Sequence, residues 1–371
     1  MLNWIAVSGG SGRMRIHGLP WLEENGGRLA RLPERAEAAG RLPNKVLALG
    51  RMPSGVRLRF ASTTTTLRIR ARYLQLPSML DMSTIGHSGI DLYVDGPEEK
   101  YWGTSAAAAE VDSGYEHCFF EGIAAARRSF TLYLPTYNEV VELDIGIDTD
   151  AELFEPVPYA VEQPVVFYGS SITQGACASR PGNNYAAILS RELRCDIVNM
   201  GFDGSGRGES AMSELLADID ASCYVLDFHV NLSTADELES VYEPFYRILR
   251  TKRPGTPIVM ATPYVQSCER FNLEAARRLN GMREVIEGTY KRARLQGDKA
   301  VFLVDGRELI NEEAAADAYV DGLHPNDIGF RRIADGMKGI LSEVAVHRSR
   351  GCAHNRIGDV DKERKVEKKV E

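Results

Sequence analysis

The sequence predicts an α/β protein in two parts: a three-layer unit built on a parallel sheet, preceded by an all-β antiparallel sandwich. Two observations carry this. From about residue 46 to 147, short apolar or β-branched runs are separated by Gly, Pro and Asp, and in Leu67-Arg68-Ile69-Arg70-Ala71-Arg72-Tyr73 apolar and basic residues alternate, the period of a strand with one wet face. From Pro164 onward, apolar runs alternate with helix-like segments, the texture of a parallel sheet with crossover helices.

Taken in order, residues 18–42 are weakly patterned and read as irregular lead-in. Strands are expected in VRLRFAS (56–62), TTTTLRIRARYL (63–74), GIDLYVDG (89–96), RSFTLYLP (128–135) and VVELDIGI (140–147). Residues 149–164 supply the prolines and acids of a linker, so the first unit is expected over 1–155 and the second over 160–347. In the second unit the strand candidates are PVVFYG (164–169), DIVNMG (196–201), YVLDFH (224–229), PIVMATP (257–263) and VFLVDG (301–306). Helices are expected over 184–193, 210–219, 235–252, 273–295 and 327–346. Residues 348–371 carry almost no large apolar side chains, which predicts a frayed tail, or a short solvated helix with Glu and Lys pairs.

With 44 Lys and Arg against 52 Asp and Glu, the net charge of −8 provides no field to attract phosphate backbones, so nucleic acid is not an expected partner. No apolar run approaches the ~20 residues a bilayer demands, and no membrane span is expected. The N-terminus lacks a basic region followed by a long apolar one. The chain as given is therefore expected to be cytoplasmic, or extracellular if the N-terminus is truncated. Six cysteines without a C-x-x-C pair suggest neither a zinc site nor a disulfide framework.

Ser171 follows the first strand of the parallel unit in Gly169-Ser170-Ser171-Ile172-Thr173-Gln174-Gly175, at the carboxyl end where such sheets place their sites. A serine hydroxyl attacks at neutral pH only beside a base that a third group orients. His324, in Asp321-Gly322-Leu323-His324-Pro325-Asn326, has an acid three residues earlier, so one loop can present base and carboxylate together. The plain alternative is a turn in which Asp321 caps backbone amides. Acyl transfer also needs donors for a developing oxyanion. The glycine-rich segment 199–206 offers backbone amides and Asn231 a side-chain amide, although glycine loops and polar strand ends are also common without chemistry.

These blocks in order, strand-GSS, strand-NxGxxG, strand-DxxxN and a late DxxHP, resemble the SGNH hydrolase superfamily, also called GDSL hydrolases, over about residues 164–346. The resemblance implies a flavodoxin-like sheet, Ser171 as nucleophile, Asp321 and His324 completing the triad, and an oxyanion hole from Ser171, Gly204 and Asn231, with no metal or organic cofactor. Two departures stand out: the family's G-D-S reads Gly169-Ser170-Ser171, and its G-x-N-D is reduced to His229-Val230-Asn231-Leu232. The α/β-hydrolase elbow G-x-S-x-G is not matched, because Thr173 stands at its second glycine. The sandwich-then-hydrolase order resembles a two-domain, carbohydrate-esterase-like branch with a jelly-roll-like first domain. It implies a carboxylic ester hydrolase that removes small acyl groups, acetyl above all, from a carbohydrate or other small-molecule ester. A catalytically weak glycan-binding protein, and a lipase or thioesterase of the same superfamily, are the alternatives; oligomeric state is left open.

Other conspicuous residues have plainer readings. Arg207 and Glu209 are expected to pair and cap the following helix, and His229 to be packed or substrate-facing. Tyr93, Tyr101, Trp102, Phe119 and Phe120 are expected to fill the sandwich core rather than stack on sugar rings. The glycines at 201–208 lack dinucleotide-fingerprint spacing.

Overall fold

The computed structural model describes residues 1–7, 12–95, 99–105 and 114–347; the tail expected at 348–371 lies outside them. The antiparallel strands are β1 (Leu2–Ala6), β2 (Arg15–His17), β3 (Arg57–Ser62), β4 (Leu67–Tyr73), β5 (Ile90–Val94), β6 (Lys100–Ser105), β7 (Tyr115–Phe120), β8 (Arg128–Tyr133), β9 (Val140–Asp148) and β10 (Leu153–Phe154). The parallel strands are β11 (Val165–Gly169), β12 (Ile197–Gly201), β13 (Cys223–Asp227), β14 (Ile258–Ala261) and β15 (Val301–Val304). The α-helices are α1 (Glu34–Ala39), α2 (Asn44–Gly50), α3 (Thr84–Ser88), α4 (Ser171–Gln174), α5 (Tyr185–Leu193), α6 (Ser210–Leu216), α7 (Ala235–Lys252), α8 (Leu273–Leu295), α9 (Gly306–Leu309) and α10 (Asp327–Leu341).

Two antiparallel sheets, ordered β1-β9-β4-β7 and β10-β3-β8-β5-β6 with β2 beside β3, share one core. Leu67, Ile69, Ile145 and Ile147 from one sheet meet Leu58, Phe60, Leu92 and Leu132 from the other. β4 alternates as its sequence predicts, and its outward Arg68, Arg70 and Arg72 pair with Glu116 and Glu142 on the neighbouring strands. β3 and β5, by contrast, are buried at every position. The outer face of their sheet packs on the parallel unit, where fully buried Arg57 meets Asp196 and Tyr93 and Tyr133 pack on Ala187 of α5. Phe119 and Phe120 fill the sandwich core as expected, whereas Tyr93 is buried on the outer face, against Tyr133 and Ala187. Tyr101 and Trp102 are not buried, at 46% and 45% exposure, because β6 is a sheet edge.

The parallel sheet runs β12-β11-β13-β14-β15, the flavodoxin-like order. Period-2 alternation sends Val165 and Phe167 to the face covered by α5 and α10, and Val166 and Tyr168 to the face covered by α6, α7 and α8. α7 and α8 occupy the expected residues; α6 ends three residues early, and after α10 the chain continues as a π turn over Ser342–His347.

The lead-in is more than irregular chain. It forms α1 and is followed by α2, and its Trp21, Leu32 and Ala36 join Val46 and Leu49 of α2 in one core with Val198 and Met200 of β12. Arg31 is fully buried there, with no carboxylate partner among the described residues. Its guanidinium donates to the carbonyls of Met52 (2.7 Å), Leu49 (2.8 Å), Asn199 (3.0 Å) and Gly201 (2.7 Å), and it lies 4.8 Å from the Phe202 ring centre. Burial pushes this guanidinium down to about 9, so it remains charged at neutral pH. No helix among the described residues is long and apolar enough to cross a membrane.

Candidate active site

The sheet order reverses at β11: its successor β12 lies on one side and β13 on the other, which opens a crevice at the carboxyl end of β11. α4 starts there. Ser170 caps it, its hydroxyl accepting from Ile172 N at 3.2 Å. This explains the missing acid of G-D-S, since serine and aspartate are interchangeable as helix caps. Gly169 is dictated by space: a Cβ there would strike Thr173 Oγ1 and the Asp227 carbonyl. Ser171, at the first helical position, is 3% exposed, and its amide is one that helix geometry leaves without an intrahelical partner.

Across the crevice, Ser171 Oγ lies 3.0 Å from His324 Nε2, and His324 Nδ1 lies 2.7 Å from Asp321 Oδ2. The two readings of the Asp321 turn prove compatible. Oδ1 accepts from the amides of Leu323 (2.9 Å) and His324 (2.7 Å), while Oδ2 holds the imidazole. Partial burial alone would raise the Asp321 pKa, but these hydrogen bonds outweigh it and hold the carboxyl below its ordinary value. The group is ionised at neutral pH.

The loop after β12 brings Gly204 to the surface at φ +58°, a left-handed conformation that suits glycine. Asn231, in the short turn after β13, donates from Nδ2 to the carbonyls of Phe202 (3.0 Å) and Gly206 (3.1 Å), so its amide clamps the loop on both sides of Gly204. Sequence reasoning missed several residues that hold this frame. Gln174 donates to Thr136 O (3.0 Å) and accepts from Asp203 N (3.0 Å), tying α4, the sandwich and the glycine loop together. Asn199 donates to Thr173 O at 2.6 Å and accepts from Gly201 N at 2.9 Å. A polar residue inside an apolar strand run, as in DIVNMG, was the available signal. Tyr137 donates to Ser171 O at 3.4 Å.

The expected Arg207/Glu209 pair does not form. Glu209 accepts from the Tyr168 hydroxyl (2.8 Å) and from the backbone amide of Arg207 (3.3 Å) and makes no cap, while the Arg207 side chain pairs with Glu237 (3.3 Å), because the loop turns the two side chains to different elements.

His229 is packed at 2% exposure, its Nδ1 3.7 Å from Asp227 Oδ1. That contact is too long for a hydrogen bond; Asp227, in register with Gly169, accepts instead from Tyr185 (3.0 Å) and Tyr264 (2.8 Å). Burial pushes Asp227 up to about 7 despite those bonds, and burial, with Arg283 and Arg278 nearby, pushes His229 down to about 3. The folded pair is thus neutral on both sides in mildly acidic solution, whereas the unfolded chain carries a carboxylate and an imidazolium. Asp227 makes stability fall as pH rises from about 4 to 7, and His229 makes it fall as pH drops from about 6.5 to 3. In the wild type the slopes oppose. Asp227→Asn is expected to leave only the acid-side loss and His229→Gln only the loss toward neutrality, read from denaturant midpoints between pH 4 and 7. Parallel profiles for the two variants would rule the coupling out.

Sheet, crevice and side chains together define the class: a carboxylic ester hydrolase on a flavodoxin-like sheet. Residues 162–342 match the model of the GDSL-like lipase/acylhydrolase family, and residues 2–153 match GxDLY, the N-terminus of SGNH-hydrolase-type esterases. The chain belongs to the SGNH, or GDSL-type, hydrolases, in the branch with an N-terminal β-sandwich. Gly89-Ile90-Asp91-Leu92-Tyr93 spells the motif of the second model; buried Asp91 accepts from Gly182 N (2.8 Å) and Arg180 (2.6 Å), pinning the turn before α5. The solved structure of a GDSL-like lipase from Bacteroides ovatus is 26% identical, covering 93% of this chain and 98% of that one, with a TM-score of 0.82. The salicylyl-acyltransferase SsfX3 of a tetracycline biosynthetic pathway (18% identity, TM-score 0.75) and a family two carbohydrate esterase from Cellvibrio japonicus (12%, 0.59) each cover the same shares. At those identities the last two speak for the fold alone. No curated protein matches the chain.

Proposed function

We propose that the protein is a serine esterase that hydrolyses small acyl esters, acetyl foremost, carried on a carbohydrate. The observation that carries this reading is the hydrogen-bonded series from Ser171 Oγ through the His324 ring to Asp321. In it, His324 Nε2 takes the serine proton as Oγ attacks the ester carbonyl, and Asp321 fixes the tautomer and stabilises the imidazolium. The amides of Ser171 and Gly204 face the oxyanion, and Asn231 joins them by turning one N–H away from its loop carbonyls. His324 then protonates the leaving alcohol, and water, deprotonated by the same ring, releases the acid from the acyl-enzyme.

Two substrate series test this: acetate release from acetylated xylan and acetylated monosaccharides, and turnover of nitrophenyl esters of increasing chain length. The expected result is acetate release from a sugar ester, with kcat/KM falling by about tenfold or more between acetyl and octanoyl esters. A preference for the long chains would favour a lipase, and glycan binding without any turnover a binding protein.

A further inference from the structure

Around the imidazole the fold brings together three donors that are far apart in sequence, the ring itself among them. Asp81, Cys177 and His324 each offer one ligand atom, and the three atoms lie within 4.8 Å of one another. Cys177 Sγ already donates to Asp81 Oδ2 at 3.4 Å. A tetrahedral zinc ion with one sulfur, one nitrogen and one oxygen ligand separates them by roughly 3.3–3.7 Å, so closure requires about 1 Å of side-chain movement. Asp81 is exposed and free to supply it. The imidazole is prepared in the way metal-binding histidines are: a carboxylate holds Nδ1, which leaves Nε2 for the ion.

We propose that Cys177, Asp81 and His324 form a regulatory site for a thiophilic divalent cation, Zn²⁺ or Cd²⁺, whose occupation shuts the esterase off. The inhibitory consequence rests on the proposed role of His324 as base; the metal site does not. An ion on Nε2 displaces the Ser171 hydroxyl and leaves the imidazole no lone pair with which to accept its proton. Binding exchanges the Cys177 Sγ–H bond for an Sγ–metal bond and sends one proton to solvent, so affinity rises with pH. The S, N, O donor set discriminates against Mg²⁺ and Ca²⁺, which take oxygen. No spacing in the sequence announces the site, since its ligands come from the loop before α3, the turn after α4 and the loop before α10.

The test has two arms. In the first, Zn²⁺ is titrated against nitrophenyl acetate turnover in the wild type and in Cys177→Ala and Asp81→Asn. The expected result is near-complete inhibition of the wild type, none by Mg²⁺, and an inhibition constant weaker by at least about tenfold in each variant, with basal activity retained. In the second, Co²⁺ is added to the whole chain and to its Ser171→Ala form, and the thiolate-to-cobalt charge-transfer band is followed. It is expected in both, and is expected to vanish with Cys177→Ala, although the other five cysteines, Cys118, Cys195, Cys223, Cys268 and Cys352, remain. Equal zinc inhibition of the wild type and Cys177→Ala, or no such band in the wild type, overturns the site. The cobalt arm needs no turnover, so an inactive chain that shows the band fails the esterase reading alone.

Discussion

Ser171→Ala is expected to lower turnover of a chromogenic acetyl ester by about a thousandfold or more. Its thermal midpoint should stay within about 2 °C of the wild type. The two halves of this expectation have separate structural causes. Among the described residues the hydroxyl's side-chain partner is His324 Nε2, so its loss removes the proposed attacking atom and no contact that holds α4 in place. The helix is capped by Ser170, and its backbone frame is held by Gln174, Asn199 and Tyr137. A serine-directed phosphonate should inactivate the wild type and leave its adduct on Ser171 by mass spectrometry. Turnover equal in variant and wild type would remove Ser171 from the mechanism.

Arg31→Met is expected to have the largest effect on stability, a loss of about 3–5 kcal/mol in denaturant unfolding. Methionine fills much of the volume but donates nothing, so the carbonyls of Met52, Leu49, Asn199 and Gly201 all lose the guanidinium, although Met52 and Leu49 keep the amides of Ser54 and Met52 as donors. Two of these belong to β12, immediately before the glycine loop, and two to the chain around the end of α2. Arg31 thus ties the lead-in to the strand that delivers Gly204, and Arg31→Lys, with its charge but no planar fork, should recover only part of the loss. A denaturant midpoint unchanged in Arg31→Met would show that those carbonyls find other donors.

Much of the parallel unit was legible because its signals are local. Each of its strands is a short apolar run bounded by turn residues, and α7 and α8 carry their pattern over 18 and 23 residues. The Asp321/His324 pairing was readable for the same reason, since three residues of one turn set it. The short strands β1, β2, β6, β7 and β10 were not. They sit at sheet edges or are only two to six residues long, and Lys100–Ser105 has no clean alternation because β6 lines no continuous core face.

By itself the sequence determined which segments alternate at period 2 or 3.6, where turns punctuate them, and which side chains carry chemistry. Those properties depend on neighbours a few bonds away. Only the tertiary structure decided that Arg31 reaches β12 some 170 positions later, that the amide of Asn231 is committed to Phe202 and Gly206, and that Cys177 stands beside His324. Such contacts arise when separate elements pack in three dimensions, and burial, charge and hydrogen-bond demand are set by that packing.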